Sequence, residues 1–383
     1  MSKTFNALVI VRDDVSSTFT WSGIPNHIVK ILKDNGVNVT VVDKLGFPKH
    51  FKWRVQRVLQ KLIKSCGPKY YSLDTSRYYA DLLSKRINQV SNDYDFILAI
   101  DFTEGLPFFK TDKPLFVFRD ASYLQLNDIS YPGYENFSDL DRVELQKIEE
   151  KSFNVCEKVL ITSNWAIDYC QKSYPKIERQ KYQVLPFSAQ VYPPPLREDW
   201  KIRSFEAADE LRFLFIGRDW KRKGGPKALE ILDELNLKGM SVSLTIVGAD
   251  PDVGDREYKI EKIVNLDLSK PSESERMREL YRNAHFFILP INIEAFGIVF
   301  SEAMSFGLPI ITHDICALSE IMMHNKHGVC LPIDCDAKSF ASSIEDIVLS
   351  SEKYERMQEE CFDRFKGHFH PNKWVERLLS LVQ

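Results

Sequence analysis

Short apolar runs recur along the chain, separated by stretches in which apolar residues return every three or four positions. The runs predict buried strands and the spaced stretches predict amphipathic helices. In the first half the strand-like runs are Ala7–Val11, Val37–Val42, Phe96–Ile100, Leu115–Phe118, Val159–Thr162 and Tyr182–Pro186. In the second half they are Leu211–Ile216, Val242–Val247, Ile263–Leu266, Phe286–Leu289, Pro309–Thr312 and Gly328–Leu331. Helical patterns fall between them, among them Ile24–Asn35, Leu140–Asn154, Pro226–Leu235, Ser272–Arg282 and Phe340–Leu349. Apolar strands alternating with helices predict parallel sheets covered on both faces, an α/β fold. Twelve strands are too many for one comfortable sheet.

The predicted division lies near the middle. Pro193-Pro194-Pro195 can continue neither a helix nor a central strand, so this stretch reads as a stiff linker, with a boundary near 190–205. The expected domains are 1–190 and 205–368, with a final helix from about 370 to 383 returning to the first. Each is expected to be doubly wound, holding ligands beyond the carboxyl ends of its strands.

Composition narrows the classes. The 383 residues are 44% hydrophobic and 27% charged, which excludes disordered, collagenous and disulfide-scaffold proteins. Lys plus Arg number 51 against 54 Asp plus Glu, so no overall basic field points to nucleic acid. Seven scattered cysteines without a C-x-x-C suit a reducing cytoplasm. Ala7–Val11 meets Arg12-Asp13-Asp14 too soon for a signal peptide, and no apolar run is long enough to span a membrane.

Two segments carry candidate chemistry. After the strand Leu211–Ile216 come Gly217, Arg218, Asp219, Trp220, Lys221, Arg222, Lys223 and Gly224. Cations at the carboxyl end of a parallel strand, just before a helix, are placed to hold an anion, although a solvated basic turn has the same composition. After Phe286–Leu289 comes Glu294-Ala295-Phe296-Gly297-Ile298-Val299, with Glu302 five residues beyond Gly297. Gly297 permits close backbone approach, and a helix starting there points free N–H groups at a phosphate. Glu294 and Glu302 are suited to accept hydrogen bonds from hydroxyls.

Glu294-Ala295-Phe296-Gly297 with Glu302 resembles the E-x7-E motif of retaining GT-B glycosyltransferases of the family four type. Gly307-Leu308-Pro309 and Glu320 continue the likeness, and Gly217-Arg218 with Lys223-Gly224 is similar to that family's phosphate segment. Ser163-Asn164-Trp165 resembles its S-x-W stretch, and Ser22-Gly23 before His27 its glycine-rich acceptor loop. The likeness covers nearly the whole chain and is most specific over 211–332.

The resemblance implies two Rossmann-like domains facing across a cleft, with a nucleotide-diphosphate sugar bound mainly by the second. It implies that Arg218 and Lys223 bind the diphosphate, aided by the backbone of Phe296 to Val299. Glu294 would hold sugar hydroxyls, Glu302 the ribose, and Val247, Gly248, Leu266 and Leu268 the base. No metal cofactor is implied, and Asp334-Cys335-Asp336 lies far from these motifs. The acceptor would be a saccharide or a lipid-linked molecule met by Ser22, Gly23, Arg119 and Asp120. Where many relatives carry a His after the fourth strand, this chain has Arg119 followed by Asp120, either a candidate for the acceptor proton or a turn cap. The implied work is surface polysaccharide, lipopolysaccharide or glycolipid assembly. A non-catalytic sugar-nucleotide module and a nucleotide-sugar epimerase are the alternatives.

Residues 49–64 form a basic amphipathic stretch, with Lys52, Arg54, Arg57, Lys61 and Lys64 beside Phe51, Val55, Leu59 and Leu62. Such a segment suits either an anionic membrane face or a solvated helix surface. The expected location is the cytoplasm, with or without peripheral attachment to the inner face of the membrane.

Overall fold

The computed structural model describes residues 4–17, 20–45, 76–90, 93–204 and 210–382, together with Val55 and Val58. The basic segment 49–64 lies outside the described residues apart from those two valines. Among the described residues no helix is long and apolar enough to cross a membrane.

The chain forms two compact units, Met1–Pro186 with Trp374–Gln383, and Phe187–Lys373. Each holds one six-stranded sheet. In the first unit β1 (Asn6–Val11), β2 (Asn38–Val42), β3 (Phe96–Ile100), β4 (Leu115–Arg119), β5 (Lys158–Ile161) and β6 (Tyr182–Val184) lie in the order β2-β1-β3-β4-β5-β6. Its helices include α1 (Ile24–Asp34), α2 (Arg77–Ile87), α3 (Tyr123–Asp128), α4 (Asp139–Val155) and α5 (Asn164–Ser173). In the second unit β7 (Leu211–Ile216), β8 (Val242–Val247), β9 (Lys259–Ile263), β10 (Phe286–Ile288), β11 (Ile310–Asp314) and β12 (Gly328–Pro332) take the order β12-β11-β10-β7-β8-β9. Its helices are α6 (Gly225–Leu237), α7 (Pro271–Asn283), α8 (Ile298–Ser305), α9 (Leu318–Ile321), α10 (Ala337–Val348) and α11 (Ser351–Arg364). A last helix, α12 (Pro371–Ser380), places Trp374 edge-on to Phe118 of β4 at 5.4 Å.

All recorded strand pairings are parallel. The central strands explain why: Phe96–Ile100 and Leu115–Arg119 are buried at every position, so both faces must be covered by helices. Chain direction across each sheet reverses at one place, between β1 and β3 in the first and between β7 and β10 in the second. Strand-to-helix loops diverge at such points and leave a crevice above the carboxyl ends.

Two expectations are corrected. The edge strand of the second sheet is Lys259–Ile263, ending where the run Ile263–Leu266 was expected to begin. Three of its five residues are exposed Lys or Glu, which an outermost strand with a single neighbour tolerates, so no apolar run marks it. Nor does the stretch around the three prolines, expected to be a stiff linker, join the domains: it belongs to the second unit. The boundary lies ahead of it, after Pro186. Arg197 pairs with Glu359, Trp200 packs on Phe362 at 5.5 Å, and buried Arg203 donates to the carbonyl of Ala284 at 2.7 Å and exchanges hydrogen bonds with Gln358.

Candidate functional site

The crevice of the second unit is built from the loops after β7 and β10. Gly217 continues the β7 register, its N–H donating to Val247 at 2.9 Å, before the chain turns. Asp219 closes the turn by accepting from the Arg222 N–H at 3.1 Å, and Lys223 N–H donates to the Asp219 carbonyl at 2.9 Å. Gly224 ends the turn at φ +79°, where an added Cβ would stand 1.7 Å from the Pro290 carbonyl oxygen. Only glycine fits there, so the two loops are in backbone contact. Asn292 joins them again, its N–H donating to the Arg222 carbonyl at 3.0 Å and its amide to the Lys221 carbonyl at 3.1 Å.

This stitching brings Lys223 and Arg222 onto Glu294. Lys223 Nζ bonds Glu294 Oε2, and Arg222 Nη1 reaches the same oxygen at 3.3 Å and the Ile293 carbonyl at 3.1 Å. Burial pushes the Glu294 carboxyl up, but Lys223 and Arg222 together outweigh it and hold the group below its ordinary range. Glu294 is therefore an ionised buried acceptor. Arg218 and Lys221 stand exposed on the same turn. Sequence reasoning counted Arg222 among the cations of this turn but assigned the diphosphate to Arg218 and Lys223 alone.

Ala295 and Phe296 are buried, and Phe296 packs against Phe187 at 5.2 Å. Gly297 caps α8 at φ +84°, with Phe300 filling the space its Cβ would need. The first-turn N–H groups of α8, from Ile298 and Val299, have no acceptor within their own helix by geometry. Glu302 sits within α8, where Tyr281 donates to it at 2.9 Å and the Gln190 backbone also bonds it. Burial dominates there and raises its carboxyl to about 7. Val247 is buried, and Gly248 lies against Gly217 at φ +90°. Leu266 is half-buried, while Leu268 stands 53% exposed on the loop after β9.

The first unit concentrates charge at the corresponding place. Arg12 follows β1, Asp101 follows β3 and Arg119 closes β4. Arg12 pairs with buried Glu104 at 2.8 Å, and Tyr123 donates to the same carboxylate at 2.9 Å. The Arg119 guanidinium lies 3.8 Å over the Tyr123 ring, bonds Thr103 at 2.9 Å and pairs with Glu149 and Asp101, each at 3.2 Å. At 1% exposure it is enclosed by protein, so the expectation that Arg119 meets an acceptor is corrected: it is an internal anchor. Asp120 accepts from the adjacent Ala121 N–H at 2.8 Å, and the cap of α3 is Ser122, whose hydroxyl accepts from the Gln125 N–H at 3.2 Å. Ser22 and Gly23 belong to a turn whose residues Trp21, Ser22 and Gly23 are all left-handed, with φ of 41°, 56° and 79°, ahead of α1. Asp336 of the D-x-D spelling caps α10, accepting from Ser339 N–H at 2.9 Å.

Residues 197–363 match the family described as glycosyl transferases group 1. The lipopolysaccharide glucosyltransferase WaaG of Escherichia coli is 28% identical over 182 residues, 45% of this chain and 48% of that protein. Matched stretches span about a third to just over half the length of the curated relatives. Sucrose-phosphate synthase from Thermosynechococcus elongatus superposes with a TM-score of 0.68 at 15% identity, covering 98% of each chain. Anabaena HepE, solved with UDP and glucose, superposes at 0.59 and 13% identity, again over 98% of each chain. These likenesses show the two-unit α/β fold, of GT-B type.

Proposed function

We propose that the chain is a glycosyltransferase. It takes a sugar from a nucleotide-diphosphate sugar, retains the anomeric configuration, and passes it to a saccharide or lipid-linked acceptor in surface polysaccharide or lipopolysaccharide assembly. One observation carries the reading. The groups able to hold a diphosphate meet at the β7/β10 reversal, inside the stretch 197–363 that matches the family. HepE, of like fold, was solved with UDP and glucose, which supports a nucleotide sugar as donor.

Departure of the nucleoside diphosphate builds negative charge on the leaving oxygen. Arg218, Arg222, Lys223 and the α8 start face that charge, and stabilise it more in the transition state than in the ground state. Glu294 takes sugar hydroxyls and Glu302 the ribose. With cations and a helix start supplying positive charge, the reaction needs no metal cofactor, and turnover should survive chelator.

A thermal-shift screen against nucleotide sugars tests donor binding, since a ligand at 100 times its dissociation constant stabilises by about 2.7 kcal/mol. NMR of the product then reads the anomeric configuration. Donor binding without transfer would favour a non-catalytic module, and donor conversion without any acceptor an epimerase. Attachment of segment 49–64 to anionic lipid belongs to the same reading. It predicts vesicle co-sedimentation that rises with anionic lipid and falls with salt.

A further inference from the structure

We propose that the Asp101 carboxylate binds a hydroxyl of a neutral saccharide at the strand reversal of the first sheet, held in place by the ion network beneath it. Naming that saccharide as the acceptor rests on the glycosyltransferase reading; the site itself does not.

Position comes first. Asp101 follows β3, next to β1, where the first sheet reverses its order and opens its crevice. Exposure separates it from the two enclosed carboxylates of the network, while Asp13, paired with Arg12 at 3.3 Å, is a fourth acid at the surface. The side chains of Glu149 and Glu104 are 0% and 4% exposed, whereas that of Asp101 is 20% exposed. Two buried acids and one buried arginine thus support Asp101, which solvent reaches.

The network is built toward that acid. Glu149 and Thr103 fix one side of the Arg119 guanidinium, Tyr123 covers its face, and Nη2 is left toward Asp101. Among the described residues Nε and Nη2 find no hydrogen-bond acceptor, so their contribution to Asp101 is charge alone. Asp101 Oδ1 meets that charge, while Oδ2 receives no protein donor among the described residues. The Asp101 backbone sits at φ +46°, a conformation costly for a residue with a Cβ.

Charge selects the ligand class. Arg12 and Arg119 against Asp13, Asp101, Glu104 and Glu149 sum to two minus four, or −2. An anion is repelled there, whereas a hydroxyl can donate to Oδ2. Half-buried Tyr134, stacked on Tyr123 at 5.8 Å, adds an aromatic surface within electrostatic reach of Asp101. A carboxylate with one aromatic ring near it suits a pyranose, whose hydroxyls need an acceptor and whose C–H face packs on a ring.

The test titrates the full chain with methyl α-D-glucopyranoside, methyl α-D-mannopyranoside and methyl α-D-galactopyranoside, read by saturation-transfer NMR. UDP, GDP and ADP are titrated separately by calorimetry. Asparagine adopts left-handed backbone as readily as aspartate, so Asp101→Asn removes the charge without refolding the turn. Asp101→Gly, free of strain at that φ, is the second variant. At least one pyranoside should bind the native chain, and both variants should weaken it by about tenfold or more, the loss expected when a charged acceptor is removed. Nucleoside diphosphate affinity should stay within about twofold in both variants, because no residue of the second crevice is altered. The proposal is overturned if no pyranoside binds the native chain, or if either variant binds as the native chain does. Absence of all nucleotide binding would instead sink the glycosyltransferase reading, and the pyranoside comparison would still decide Asp101.

Discussion

The two strand reversals solve one electrostatic problem in opposite ways. At both, burial is the largest influence on the central carboxylate and pushes its proton affinity up. In the second unit, Lys223 and Arg222 converge on Glu294 and overcome burial, so its carboxyl ends below the ordinary range. In the first, Arg119 and Arg12 are shared with other acids, burial prevails, and the Asp101 carboxyl ends above it. Four cations against Asp219, Glu294 and Glu302 leave the second crevice at four minus three, or +1, even with Glu302 ionised, open to an anion. The first stands at two minus four, or −2. The same sheet geometry thus presents an anion site or a hydroxyl site according to how many cations each acid must share.

The sharpest way to break this contrast is to remove cations. Lys223→Ala and Arg218→Ala should each lower donor turnover by roughly 100- to 1,000-fold, the scale for losing one charge-stabilising donor. Steady-state rates at saturating donor check this, and equal turnover by either variant would remove that residue from the site. Lys223→Ala should also destabilise the second unit, since buried Glu294 loses its nearest partner, whereas Arg218→Ala on its exposed position should not.

In the first unit the effect falls on stability. Arg119→Met leaves Glu149 and Asp101 without their shared cation, a change of about 3–5 kcal/mol. For a unit of this size that is about 2–4 °C of Tm per kcal/mol, readable by calorimetry. An unchanged Tm would mean the network is not the support described.

Two glycines with nearly equal φ separate conformational cost from loop contact. Gly36→Ala, at φ +80° with nothing within 4 Å, should cost about 1 kcal/mol. Gly224→Ala, facing the Pro290 carbonyl, should cost about 3 kcal/mol or more and disturb nucleotide binding as well. Denaturant titration of both variants tests the difference.

The smallest effect is on pH. Glu302 in the folded chain titrates at about 7, above the ordinary carboxyl range. The native state therefore binds an extra proton between roughly pH 4.5 and 7, and this contribution to stability declines as pH rises through that window. A carboxylate is the better ribose acceptor, so nucleoside diphosphate affinity should rise about tenfold from pH 6 to 8. Glu302→Gln should flatten both profiles in calorimetric titrations.

Periodicity made most of the fold legible. Strands such as Phe96–Ile100, Leu211–Ile216 and Val242–Val247 are apolar throughout or nearly so, and they lie where the runs fall. Lys259–Ile263 escaped because three of its five residues are exposed Lys or Glu. The second crevice was legible because its chemistry is compressed into two short loops after strands. The first was not, because Arg119 and Glu149 stand thirty residues apart and a buried charge leaves no period in the chain. Arg203 escaped for the same reason, its hydrogen bonds reaching Ala284, Phe306 and Gln358.

Trp374 bears on how the chain is made. It is 2% exposed and packs on Phe118 in the centre of the first sheet. The first unit therefore draws part of its core from residues that follow the whole of Phe187–Lys373. During synthesis the amino-terminal sheet emerges first yet lacks that ring until residue 374 has left the ribosome, by which time the second unit has its complete sequence. The unit begun first is the unit finished last, and a chain cut short before Trp374 would carry a complete second unit beside a first one open at Phe118.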